Sequence, residues 1–173
     1  GAYYGKLTDT KSVIAFDMGG TTAKMCLIED FEPEHANTFE AGRVRRFRKG
    51  SGIPLKVPVI DLIEIGAGGG SISRLDAMGL LKVGPDSAAS EPGPVCYGLG
   101  GENPTVTDAD LLLGYLSPDY FLGGEMSLKV DEVRDAIDST LAGPSGLEVT
   151  AIAAGIHAIV NNNMAAATRS HIA

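Results

Sequence analysis

Between Val13 and Ile28 two apolar runs, Val13-Ile14-Ala15-Phe16 and Ala23 to Ile28 with Lys24 inside it, are separated by Asp17-Met18-Gly19-Gly20-Thr21-Thr22. Runs of this length, β-branched and bounded by paired glycines, predict strand, tight turn, strand. The turn carries one carboxylate at its mouth and two threonine hydroxyls. Paired glycines let backbone N–H groups approach an anion without a Cβ in the way, and a carboxylate beside a phosphate can hold Mg²⁺ or position water. The same residues also suit a plain β-hairpin whose glycine turn follows an aspartate, and the motif alone leaves both readings open.

The rest of the composition narrows the class. At 173 residues the chain fits the size of one domain, long enough to bury about 70% of the surface its unfolded form exposes. No apolar run approaches the length of a membrane span. With 14 basic and 22 acidic residues the formal charge is −8, which argues against a general nucleic-acid binder. Basic character is confined to Arg43-Val44-Arg45-Arg46-Phe47-Arg48-Lys49, which reads as a solvated strand edge or loop. Cys26 and Cys96 stand far apart with no C-x-x-C spacing, and no signal peptide opens the sequence, so free thiols in a reducing, cytoplasmic compartment are expected.

Along the chain, Gly1 to Leu7 resembles the tail of a helix, and the sequence reads as an excised piece. Glu29 to His35 is a polar hairpin loop, Asn37 to Phe47 a strand, Gly50 to Pro54 a turn, and Pro58 to Ile65 a further strand. Gly66-Ala67-Gly68-Gly69-Gly70-Ser71 ends that strand; it suits either phosphate or substrate binding or close backbone packing. A hairpin is expected at Ser71 to Leu75 and Leu80 to Val83, then a Gly-, Pro- and Ser-rich loop from Gly84 to Pro104. Beyond it the period changes to about 3.6. Thr107 is the expected N-cap of a short helix with Asp108 and Asp110 in its first turn. Asp131 to Ala142 is a second helix stopped by Gly143-Pro144, and a third runs from Glu148 to the end. Strands first and helices later predict an α/β fold, a mixed sheet covered by helices.

Other chemistry-bearing residues stay open. Asp108 and Asp110 suit metal ligation or simply the helix dipole. Cys96, in a Pro-Gly-Pro setting, is either reactive or a small buried thiol. His157, flanked by Ile156 and Ala158, reads as structural, and Asn161-Asn162-Asn163 as an exposed polar face or a cleft lining.

Six collinear segments then carry a resemblance: Asp17-Met18-Gly19-Gly20-Thr21-Thr22-Ala23-Lys24, Gly66 to Ile72, Gly84-Pro85-x-Ser87-Ala88, Pro92 to Gly98, Pro104 to Ala109 and Phe121-Leu122-Gly123-Gly124. Together with Asn163-Met164-Ala165 and Arg169 to Ala173 they resemble the hydantoinase A / 5-oxoprolinase family over nearly the whole chain. The resemblance implies the ribonuclease-H-like fold of the actin, sugar kinase and heat-shock chaperone superfamily, here as the second half of a larger two-lobed ATP-dependent enzyme. Such enzymes open a cyclic amide, of hydantoin or 5-oxoproline type, by phosphorylating the amide oxygen. Alternatives are the ATP-using subunit of an acetone-carboxylase-type ketone carboxylase, or a non-catalytic nucleotide-binding module. By the same analogy ATP and Mg²⁺ or Mn²⁺ are the cofactors. Asp17 is then the catalytic and metal residue, and Gly19, Gly20, Thr21, Thr22 and Lys24 contact phosphate. Lys24 departs from the family, many members of which carry a carboxylate there. The expected partners are the remaining domains of the polypeptide and a hydantoinase B-like subunit, with no nucleic acid or membrane. An earlier phosphate loop and a later adenosine-contacting segment are missing from the pattern, so the piece alone is expected to be inactive.

Overall fold

The computed structural model describes residues 1–42 and 50–172, which group into two compact units. The basic run 43–49 lies outside the described residues.

Unit 1 comprises Gly1–Met18, Thr22–Gly66 and Ala166–Ala173. It opens with helix α1 (Ala2–Thr8), closed by Asp9 in the left-handed region. A methyl group at Gly5 of this helix would stand 3.0 Å from the Thr10 carbonyl oxygen, so the turn after α1 packs tightly on it. The expected hairpin follows: β1 (Val13–Met18) runs antiparallel to β2 (Ala23–Glu29), from Val13 opposite Ile28 to Met18 opposite Ala23. Short strands come next: β3 (Glu32–Pro33), β4 (His35–Ala36), β5 (Phe39–Ala41), β6 (Ile53–Leu55), β7 (Val59–Ile60) and β8 (Leu62–Ile65). β2 is the centre of a four-stranded sheet, with β1 on one side and β3 and β8 on the other. Being flanked on both sides, it buries Ala23, Met25 and Ile28, joined by Ile65 of β8.

Unit 2 comprises Gly19–Thr21 and Ala67–Ala165. β9 (Ser71–Leu75) and β10 (Leu81–Ser87) form a hairpin whose turn is shaped by Asp76, which accepts from the amides of Met78 and Leu80. A 3-10 turn at Val95–Tyr97 interrupts the long loop. Helices α2 (Val106–Leu112) and α3 (Val130–Ile137) follow, and α3 widens through Asp138–Ala142 into α4 (Gly143–Ser145). Helix α5 (Val149–Ile172) begins here, and its last residues group with unit 1. Val133, Ile137 and Leu141 recur at helical spacing, as do Ile152, Ile156 and Val160, and all six are essentially inaccessible. Each such side chain contributes about 1.5–3 kcal/mol by leaving water. At Gly155 an added methyl would meet Cδ2 of Leu81 at 3.1 Å, so the missing side chain is what lets α5 lie close on β10.

Four expectations are corrected. Pairing among the described residues is antiparallel throughout and the largest sheet has four strands, so a mixed sheet does not form there. Pro33, Pro54 and Pro58 lie in or beside the short strands and remove ladder donors, which limits their extension. The N-cap of α2 is Thr105, not Thr107, because Thr105 and Asp108 complete a reciprocal capping box. Gly143-Pro144 does not stop the second helix: proline is tolerated at the first turn of α4, and the stop is Gly146 at φ 70°. Ile53 and Pro54, expected in the turn Gly50 to Pro54, belong to β6 (Ile53–Leu55). No single helix among the described residues is long and apolar enough to cross a membrane.

Candidate functional site

The tip of the first hairpin, Gly19–Thr21, folds with unit 2, where the second glycine run receives it. Gly69 N–H donates to the Gly19 carbonyl at 3.0 Å and Gly70 N–H to the Gly20 carbonyl at 2.6 Å. A methyl group at Gly68 would stand 2.6 Å from the Gly19 oxygen and 2.7 Å from the Gly20 carbonyl carbon, so contact this close requires glycine. Thr107 N–H in turn donates to the Gly69 carbonyl at 2.8 Å, tying α2 to the same stack. Thr21 Oγ1 lies 3.4 Å from Ser87 Oγ. The Gly19 and Gly20 carbonyls are thus turned to the protein and engaged. Among the described residues no acceptor takes the amides of Gly20 and Thr21, and the Cβ direction of Gly20 is open for 4 Å. A loop with held carbonyls, unclaimed amides and the exposed Thr21 hydroxyl suits an anion.

The close backbone packing expected of Gly66 to Ser71 forms. Its contribution to the cradle is support from behind: Gly68 N–H donates to the buried Ser71 Oγ at 3.0 Å, and Ala88 N–H to the Gly70 carbonyl at 2.8 Å.

The remaining predicted site residues belong to unit 1. Asp17 is the next-to-last residue of β1 with its side chain exposed, and no hydrogen bond or ion pair from a described residue reaches the carboxylate. Lys24 is its cross-strand partner by register, yet Lys24 Nζ pairs with Glu64 Oε1 of β8 at 3.8 Å, both side chains about half exposed. Thr22 is half-buried at the start of β2. Magnesium keeps several waters and takes one or two carboxylates together with phosphate oxygens. A lone, unengaged Asp17 fits that donor set. Among the described residues no three His, Cys, Asp or Glu side chains cluster as a metal cage.

Helix α2 accounts for both of its aspartates. Asp108, fully buried, accepts four hydrogen bonds: from Cys96 N at 2.8 Å, Val95 N at 3.2 Å, and Thr105 N and Oγ1 at 2.8 Å each. It closes the helix start and clamps the 3-10 turn to it. Cys96 beside it is wholly buried, and its thiol is pushed far up, first by burial and then by the Asp108 charge. It is a packed, inert thiol. Asp110 Oδ1 lies 2.8 Å from His157 Nδ1 of α5, and the Tyr115 ring stacks on the imidazole with centroids 4.9 Å apart. Forty-seven residues separate Asp110 from His157, so no spacing rule could have found the pair. Ser87 and Thr107 were likewise invisible as partners of the glycine runs.

The whole chain, residues 1–173, matches the hydantoinase/oxoprolinase family. It is 46% identical over 171 residues to an uncharacterized protein of Methanocaldococcus jannaschii, covering 97% of this chain and 25% of that one. Among solved structures it superposes on nucleotide-free acetone carboxylase with a TM-score of 0.83 and 34% identity, over 99% of this chain and 23% of the other. The ATP-dependent caprolactamase of Pseudomonas jessenii gives 0.78 and 40%, over 96% and 23%. An α/β protein with antiparallel sheets and packed helices is the class that the fold defines. The chain belongs to the hydantoinase/oxoprolinase family, whose members include ATP-dependent enzymes. It spans about a quarter of the length of these relatives. Others among them are named 5-oxoprolinases, or gamma and beta subunits of acetophenone and acetone carboxylases.

Proposed function

We propose that this chain forms one wall of the ATP-binding catalytic core of an ATP-dependent hydrolase that opens a cyclic amide of hydantoin or 5-oxoproline type, within a ribonuclease-H-like fold. The observation that carries the reading is the Gly19–Thr21 tip, its carbonyls held by Gly69 and Gly70 and its Gly20 and Thr21 amides unclaimed among the described residues. In this reading Gly19, Gly20, Thr21 and Thr22 bind phosphate oxygens through backbone amides and hydroxyls, and Asp17 holds a hydrated Mg²⁺ or Mn²⁺. The metal, when bound, offsets phosphate charge as it is transferred. An amide carbonyl is a poor electrophile; its oxygen becomes a leaving group once it bonds to the γ-phosphorus and ADP departs with the electron pair of the broken P–O bond. Prearranged donors stabilise the charge spread over the transferring group. Lys24 reaches phosphate in this scheme by releasing Glu64, an exchange that costs little for an exposed pair.

The likeness to the acetone carboxylase chain supports a second reading, in which the same phosphate chemistry activates a ketone for carboxylation. In either case the partner is a further subunit, of hydantoinase B type in the first, since relatives are named as subunits. A non-catalytic nucleotide-binding module is the third outcome. The test is ADP and phosphate release by the full-length polypeptide with its co-purified partner, supplied with Mg·ATP and either hydantoin, 5-oxoproline, or acetone with bicarbonate. Asp17→Asn is expected to keep the fold and lower turnover by about a hundredfold or more. Unchanged turnover with a lowered melting temperature would reduce Asp17 to a turn-capping residue.

A further inference from the structure

Helix α2 is gripped at two places. Thr107, through its backbone N–H, and Asp110, through its carboxylate, lie three residues apart on it. Thr107 N–H holds the Gly69 carbonyl, and Gly69 N–H holds the Gly19 carbonyl, so α2 stands two hydrogen bonds behind the cradle tip. One turn on, Asp110 holds His157 of α5 at 2.8 Å. The imidazole is fixed from a second direction by Tyr115, whose N–H donates to the Asp110 carbonyl at 2.9 Å and whose ring folds back over His157 after Gly114 at φ 80°. With Nδ1 facing the carboxylate, the proton sits on Nδ1 in the neutral ring. Asp110 and His157 are only 24% and 33% exposed in their side chains, so water competes weakly for this bond.

We infer that Asp110 and His157 are positioning residues for the glycine cradle: the pair locks α2 against α5, and α2 sets where Gly69, and through it Gly19, stands. The inference rests on the reading of Gly19–Thr21 as a phosphate loop, but its local consequence does not require ATP. Loosening the pair leaves Asp108 and the buried stripe of α2 in place, while the Thr107–Gly69–Gly19 chain loses its brace.

The experiment uses the full-length polypeptide and two variants. His157→Phe keeps the ring on Tyr115 and deletes the bond, whereas His157→Asn places an amide donor near the former Nδ1. Native-state hydrogen exchange is read at Gly69, Gly70 and Thr107, with Leu128 and Lys129, bonded elsewhere in unit 2, as internal controls. Expected for His157→Phe is about tenfold faster exchange at the three cradle amides with the controls unchanged, and a Kd for Mg·ATP weakened about fivefold. His157→Asn should recover most of both. Equal acceleration at cradle and control amides would overturn the inference, leaving a general packing role, and so would unchanged exchange or failure of the Asn variant to rescue. If the wild-type polypeptide shows no Mg·ATP binding while the cradle amides respond as described, positioning stands and the phosphate reading fails. If wild type binds Mg·ATP and the amides do not respond, the reverse holds.

Discussion

The backbone N–H of Cys96 donates to Oδ1 of Asp108 at 2.8 Å, and this bond makes one carboxylate both the N-terminal clasp of α2 and the anchor of the long loop before it. Asp108→Ala strands the amides of Val95, Cys96 and Thr105 in a dry interior. Its expected cost is on the order of 3 kcal/mol or more, read as a lowered midpoint in denaturant unfolding. Asp108→Asn, which retains one accepting oxygen, should lose less.

The Cβ direction of Gly68 runs into the backbone of Gly19 and Gly20 while that of Gly20 is open, so the two should respond oppositely to the same substitution. Gly68→Ala forces a methyl into the Gly19 carbonyl and is expected to destabilise by about 1–3 kcal/mol. Gly20→Ala enters open space at a φ outside the left-handed region, so stability should change by no more than about 0.5–1 kcal/mol. If the tip binds phosphate as proposed, Gly20→Ala should weaken nucleotide affinity in the full-length polypeptide without a matching loss of stability.

The two thiols should be slow to react in the folded state. Burial pushes up both Cys96 and Cys26, so each has less thiolate at a given pH than a free cysteine. Alkylation at pH 8 should label half-buried Cys26 sluggishly and Cys96 only after denaturant is added. Prompt labelling of Cys96 would contradict its packing.

Asp76 supplies a pH dependence with a definite sign. The amide of Leu80 foremost, then that of Met78 and the charge of Lys82, hold its carboxyl below the ordinary aspartate value. A carboxyl depressed by folding stabilises fully above its unfolded pKa, near 3.8, and that contribution fades as pH falls through the folded value. Asp76→Asn should therefore flatten the acid limb of the stability curve below about pH 4 and leave melting at pH 7 to 8 little changed in slope.

Removing the exposed ion pair is expected to matter little to the fold. Lys24→Met should shift stability by less than about 1 kcal/mol. A large loss of Mg·ATP turnover in the full-length polypeptide without a stability change would assign Lys24 to phosphate.

What was legible in the sequence follows from what is local. The hairpin Val13–Met18 with Ala23–Glu29 and the helix at Val149–Ile172 were readable because apolar period and glycine punctuation act over a few residues. The cap at Thr105 was misplaced by two residues because two threonines flank Val106 and only the reciprocal bond with Asp108 chooses between them. The strands between Glu32 and Ile60 were blurred, being two or three residues long and set by pairing partners distant in the chain. The role of Gly66 to Ser71 was undecidable for the same reason: its contact is the backbone of Gly19 and Gly20, which no composition encodes. Asp110, His157 and Tyr115 meet through tertiary folding alone.

From Pro104 to Leu113 no residue is fully exposed, and within α2 only Thr107, Asp110 and Leu112 are even partly open to water. Two turns of helix are too short to persist alone, since isolated helices below about 12–15 residues are marginal in water. Its amides therefore have no private route to protection. They become ordered when the hairpin, the 3-10 turn and α5 are already around them, and they open when those depart. In a refolding experiment the seven residues of α2 should gain protection among the last of unit 2, marking the moment at which its fold is complete.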